Sequence, residues 1–130
     1  MSRFDSTVKM DALEPTVQGG GHIVVQVVYH ESMARVGRSV RPGPTSNPTI
    51  LGRPSEAFGP GTLDRPAVSR RHVQLTRATD GVQVEDLGSS NGTFVNGKRI
   101  ANVRAKVGDC ISLGDVLLLV RLESTSEPLP

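Results

Sequence analysis

Three short segments hold the side chains best suited to chemistry: Gly52-Arg53, Ser69-Arg70-Arg71-His72, and Asp86-Leu-Gly-Ser-Ser-Asn-Gly-Thr-Phe-Val-Asn-Gly97. Together they offer an arginine fork, serine hydroxyls, a carboxamide and backbone N–H groups freed by glycine. This is an inventory of donors, matched to an anion rich in acceptor oxygens. Each segment taken singly has a plainer reading. Gly52-Arg53 is a surface arginine closing a strand, and Gly88 to Gly92 is a turn built from residues that tolerate left-handed backbone. His72, opening an apolar run, reads as a hydrogen-bonded structural residue. Arg70 and Arg71, with Arg65 nearby, read as a solvated charge cluster or a contact to nucleic acid, although no stacking aromatics accompany them.

The elements around these segments are strands. His22 to Tyr29 (HIVVQVVY) is a β-branched run expected to be covered on both faces, with Met33 to Val40 as its hairpin partner. Three prolines between Arg41 and Pro48 make a loop. Thr49 to Gly52 is a strand, followed by a second Pro/Gly loop through Pro66. Val73 and Leu75 alternate with Gln74 and Thr76 in the run His72 to Arg77, and Val82 to Glu85 alternates in the same way, as half-buried strands do. Asp80-Gly81 and Asn96-Gly97 predict tight hairpin turns. Gly108-Asp109 and Gly114-Asp115 bracket Cys110 to Leu113, and Val116 to Glu123 is a long last strand. All three donor-rich segments therefore fall at strand ends, where the loops of a sandwich make a recognition surface on a rigid scaffold. Residues 1–21 read as a disordered tail, 22–123 as one domain and 124–130 as a linker.

Composition narrows the class further. The chain has 130 residues, 36% hydrophobic and 22% charged, which suits a single core. With no Trp, one Tyr and three Phe, aliphatic residues must fill that core, which favours an all-β fold. A net charge of +2 is too weak to predict nucleic-acid binding by itself. Cys110 lies in an apolar run and reads as a small hydrophobe in a reducing, cytoplasmic setting. The longest apolar run, Val116 to Val120, is too short to span a bilayer. Ser69, His72 and Asp86 supply the residue types of a catalytic triad, but no nucleophile elbow surrounds Ser69. His22, His30, His72 and Cys110 show no metal-ligand spacing. A basic nucleic-acid-binding β domain remains the rival reading, resting on the arginines alone.

The order and spacing of the three segments are more specific than any one of them. Gly-Arg, then Ser-Arg-Arg-His, then Asp-Leu-Gly-Ser-Ser-Asn-Gly-Thr-Phe-Val-Asn-Gly resembles the signature of forkhead-associated (FHA) domains, and the likeness runs from about His22 to Glu123. The resemblance implies an FHA-type β-sandwich of about eleven strands, with recognition loops at one end, that binds phosphothreonine peptides in Ser/Thr kinase signalling and has neither cofactor nor catalytic activity. Arg53 would meet the phosphate and Ser69 would donate its hydroxyl to a phosphate oxygen. Arg70 would add its backbone N–H or side chain, and Ser90 stands where the family has a phosphate-contacting Ser or Thr. Asn91 would bond the peptide backbone. Gly52, His72, Gly88, Gly92 and Asn96 would shape the loops. Gly37-Arg38 is a second Gly-Arg pair, too far from Ser69 to fit, and is expected in the second strand. The segment Val28 to Gly37 resembles the opening of FHA domains fused to bacterial enhancer-binding transcription activators, so a fused effector domain is one expected partner. A phosphorylated tail threonine, Thr7 or Thr16, folding back on the site is another.

Overall fold

Alternation of apolar and polar residues builds the sandwich. The computed structural model describes residues 21–124; apart from Gly21 and Ser124, the two expected tails, with Thr7 and Thr16, lie outside them. Ten strands lie in that span: β1 (His22–Tyr29), β2 (Ser39–Val40), β3 (Thr49–Leu51), β4 (Val73–Arg77), β5 (Gly81–Asp86), β6 (Thr93–Val95), β7 (Lys98–Ile100), β8 (Asn102–Lys106), β9 (Cys110–Leu113) and β10 (Val116–Glu123). They form a four-stranded sheet, β8-β5-β4-β3, and a six-stranded sheet, β2-β1-β10-β9-β6-β7. Residues Ile23–Arg121 form one unit. His22 and residues 122–124 belong to a second, in which His22 Nε2 bonds Glu123 Oε1 at 3.1 Å.

Successive side chains of a strand point to opposite faces, so a buried face needs every second residue apolar. In the four-stranded sheet Leu75 stands opposite Val84, and Val82 opposite Ala105. All four are fully buried, while Gln74, Thr76, Gln83 and Glu85 keep partial contact with water. The six-stranded sheet contributes Ile111 opposite Leu118 and Leu113 opposite Val116, again with no exposure. The aliphatic core expected from the scarcity of aromatics is the core observed.

Both predicted hairpins form. Ala78 N–H donates to Gly81 O across the Asp80-Gly81 turn. Asn96 and Gly97 take φ values of 52° and 82°, which the Asn-Gly pair allows at low steric cost.

Three expectations need correction. Met33 to Val40 is not one strand: Met33–Arg35 is a 3-10 turn and only Ser39–Val40 pairs, with Val25 and Gln26 of β1. Arg38 therefore precedes the second strand, and its guanidinium donates to Phe58 O at 3.1 Å instead of facing the recognition loops. Strand β1 is covered on both faces only near Val24 and Val25, for Val28 and Tyr29 are 39% and 54% exposed. Strand β8 is a further finding: only Ala105 of its five residues is buried, so the period-2 signal that marks a half-buried strand is missing from its sequence.

Candidate functional site

The loops that follow β3, precede β4 and join β5 to β6 meet at one end of the sandwich. Gly52 is the first reason they approach so closely. A Cβ built there would lie 1.8 Å from Arg70 O, so any side chain would push apart the two chain segments that present Arg53 and Ser69. Arg53 N–H then donates to Ser69 O at 3.0 Å, and Arg53 Nε donates to Val68 O at 2.9 Å. The two bonds hold the arginine from its backbone and from the root of its fork. Its two terminal nitrogens have no protein partner among the described residues, and the side chain is exposed.

His72 ties this loop to the next. It is fully buried; its Nδ1 accepts from Ser69 N–H at 3.0 Å, which places the ring proton on Nε2, and Nε2 donates to Gly92 O at 2.9 Å. One ring thus spans the Ser69 and Asn91 loops. A second link runs directly between them. Ser90 N–H donates to Ser69 Oγ at 2.9 Å, which leaves the Ser69 hydroxyl proton free to turn outward. Asn91 Nδ2 donates to Ala67 O at 3.1 Å, leaving its carbonyl oxygen and second N–H for a ligand. Ser90, Asn91, Arg53 and Arg70 are all exposed, and Ser69 is half-buried.

Asp86 organises the third loop, a role its sequence position alone does not single out. Its Oδ1 accepts from Ser89 Oγ at 2.6 Å and from Thr93 Oγ1 at 2.7 Å, and its Oδ2 accepts from the backbone N–H groups of Gly88 and Ser89. Burial opposes the charge, but these four donors outweigh it and hold the carboxyl below the usual carboxylate range. Ser89 Oγ in turn accepts from Gly92 N–H at 2.9 Å, closing a loop in which Gly88 and Gly92 have φ of 79° and 89°. A carboxylate followed by two hydroxyl residues, three and seven positions on, is the signal that could have found it.

Asn96 lies farther along the same stretch. Its Oδ1 accepts from Cys110 N–H and its Nδ2 donates to Asp109 Oδ1, so it braces the β6–β7 hairpin against β9. No hydrogen bond joins it to Arg53, Ser69, Ser90 or Asn91 among the described residues. Ser69, His72 and Asp86 do not form a proton relay either. His72 meets the Ser69 backbone instead of its hydroxyl, and Asp86 is engaged by Ser89 and Thr93.

Beside the cluster an open cleft of about 380 Å³ is lined by Arg53, Pro54, Glu56, Gly61, Asp64 and Arg70. A larger concavity of about 740 Å³ lies over Thr76, Gln83 and Arg104, and none of the expected site residues lines it. Arg65 faces neither, because it is ion-paired with Asp115 at 2.6 Å and with Glu31. Arg65 is thus neutralised by its carboxylate partners, while Arg53 and Arg70 share their cleft with Glu56 and Asp64, a mixed lining unlike the clustered basic surface a nucleic acid needs.

A two-sheet β-sandwich that gathers unpartnered phosphate-type donors on its end loops defines a ligand-recognition module. The FHA domain pattern matches residues 35–114, and the chain belongs to the FHA domain family. It is 47% identical over 58 residues to vacuolar protein sorting-associated protein 64 of Saccharomyces cerevisiae, which covers 42% of this chain and 10% of that protein. The chain thus spans about a tenth of that curated relative. Among solved structures, it is similar to the kinase-interacting FHA domain of the kinase-associated protein phosphatase of Arabidopsis, with a TM-score of 0.63 and 27% identity over 82% of this chain and 98% of that one. It is also similar to an FHA domain solved in a structural and functional study of phosphothreonine-dependent interactions, with a TM-score of 0.59 and 29% identity over 82% of this chain and 98% of that one.

Proposed function

We propose that this chain is a phosphothreonine-dependent protein–protein interaction module in Ser/Thr kinase signalling, with Arg53, Ser69, Arg70, Ser90 and Asn91 as its binding residues. One observation carries the reading. Arg53 is fixed through Nε and through its backbone bond to Ser69, while among the described residues its terminal nitrogens have no partner and the Ser69 hydroxyl only accepts, from Ser90 N–H. Donors held in advance lose little freedom when a ligand arrives, which is where their affinity comes from. A phosphothreonine brings about −1.5 to −2 charges and three acceptor oxygens, whereas an unmodified threonine can use none of the arginine's charge. An FHA domain 29% identical to this chain was solved in a structural and functional study of phosphothreonine-dependent FHA domain interactions, which supports the choice of residue.

Hydrogen bonds to charged groups contribute about 1.5–3 kcal/mol each, so removing the Arg53 fork weakens binding by roughly one to two orders of magnitude. The test is an oriented library of phosphothreonine peptides and its unphosphorylated counterpart, screened against wild type and Arg53→Ala. Enrichment from the phosphorylated library alone, lost in an Arg53→Ala variant that melts like wild type, is expected. Equal retention of both libraries by the wild type would refute the reading.

A further inference from the structure

The loop between β3 and β4, rich in Pro and Gly, is built as part of the scaffold. Phe58, Thr62 and Leu63 are 2%, 0% and 0% exposed. His30 accepts at Nδ1 from Ser32 N–H and donates from Nε2 to Thr62 O at 2.8 Å. Arg35 donates to Thr62 Oγ1 at 3.0 Å and to Pro60 O, and Arg38 donates to Phe58 O. Arg65, paired with Asp115 and Glu31, fastens the loop's far end. A side chain on this loop is thus carried by a fixed wall. Two such residues, Glu56 and Asp64, are exposed and line the same cleft as Arg53 and Arg70, and neither carboxylate has an ion pair or side-chain hydrogen bond among the described residues.

The charges of this cleft change meaning once a phosphate is bound. Empty, it has two guanidinium groups and two carboxylates and is close to neutral. A phosphate of about −1.5 to −2 charges takes up both arginines and leaves the two carboxylates uncompensated at the rim. Like charges so placed repel an acidic neighbour on the ligand and attract a basic one. We propose that Glu56 and Asp64 select phosphothreonine segments that carry a lysine or arginine side chain close to the phosphothreonine. This rests on the phosphothreonine reading and adds the chemistry of the flanking residue to it.

Exposed ion pairs each change an affinity by roughly 1.5- to 5-fold, so two carboxylates acting on one cation give roughly 2- to 25-fold, diminishing as salt is raised. The experiment is fluorescence anisotropy of the full chain with a set of phosphothreonine peptides. Lys, Ala or Glu is placed in turn at every position from three before to three after the phosphothreonine, with each peptide also made unphosphorylated. At one or more positions Lys binds more tightly than Ala and Glu more weakly, by the stated factor. The double variant Glu56→Lys with Asp64→Lys inverts that order, and Glu56→Gln with Asp64→Asn flattens it. Equal affinity for Lys, Ala and Glu at every position, with phosphate dependence intact, overturns this proposal and leaves the phosphothreonine reading standing. Loss of phosphate dependence in the wild type overturns both.

Discussion

Replacing His72 with alanine is the sharpest test of how the recognition loops are held. The imidazole is fully buried and both nitrogens are bonded, Nδ1 to Ser69 N–H and Nε2 to Gly92 O. Alanine leaves both backbone groups without their partner. Each costs about 1–3 kcal/mol if it stays dry, with the lower figure apt for Ser69, which is half-buried and within reach of water. The vacated ring volume adds a cavity cost of about 1–2 kcal/mol after partial collapse. The sum is about 3–6 kcal/mol, a large share of the roughly 5–15 kcal/mol that stabilises a typical domain. Urea unfolding reads this directly. With a slope of about 1–2 kcal/mol/M, His72→Ala lowers the midpoint by about 1.5 M or more. The folded fraction binds phosphopeptide more weakly, because the Ser69 and Asn91 loops lose their common strut. A variant that unfolds within about 0.5 kcal/mol of wild type would show that the Ser90–Ser69 and Asn91–Ala67 bonds suffice, and would refute this account of His72.

Other substitutions separate scaffold from contact. Gly52→Ala drives a methyl group to 1.8 Å from Arg70 O and is expected to lower stability by about 1–3 kcal/mol in a melting experiment while also weakening phosphopeptide binding, since the displaced segment is the one that carries Arg70. Asn91→Ala loses one exposed bond to Ala67 O and should leave the melting temperature nearly unchanged, yet reduce phosphopeptide affinity about tenfold in a calorimetric titration. Asp86→Asn removes a charge whose folded-state pKa is depressed, so its stabilisation is present at neutral pH and disappears as pH falls through that depressed value, below 3.8. Asp86→Asn is therefore less stable than wild type at pH 7; urea titrations at several pH values should show the gap closing under acid, and a gap that widens would contradict the hydrogen-bond assignment.

Much of this protein is legible in its amino-acid sequence. Period-2 alternation marks β4 and β5, Asp80-Gly81 marks the turn between them and Asn96-Gly97 the turn from β6 to β7, because both signals are local: they follow from pleat geometry and from which residues accept positive φ. The donor inventory is legible for a similar reason, since arginine, serine and asparagine keep their hydrogen-bonding capacity wherever they fall. Local signals fail where burial does not follow the pattern. Met33 to Val40 is apolar enough for a strand, yet Met33 is 80% exposed on a 3-10 turn, and β8 pairs along its length with only Ala105 inside.

What the tertiary structure alone decides is which donors remain unsatisfied. Arg38, Arg53 and Arg65 are the same residue type in similarly polar sequence, but Arg38 is engaged by Phe58 O and Arg65 by Asp115 and Glu31, while the end of Arg53 stays open. The same holds for carboxylates, with Asp86 bound by four donors and Glu56 and Asp64 left facing the cleft. Residue type sets what a side chain can bond. Whether that capacity is still available for a ligand depends on partners far away along the chain, and only the folded arrangement of the loops brings those partners near or keeps them apart.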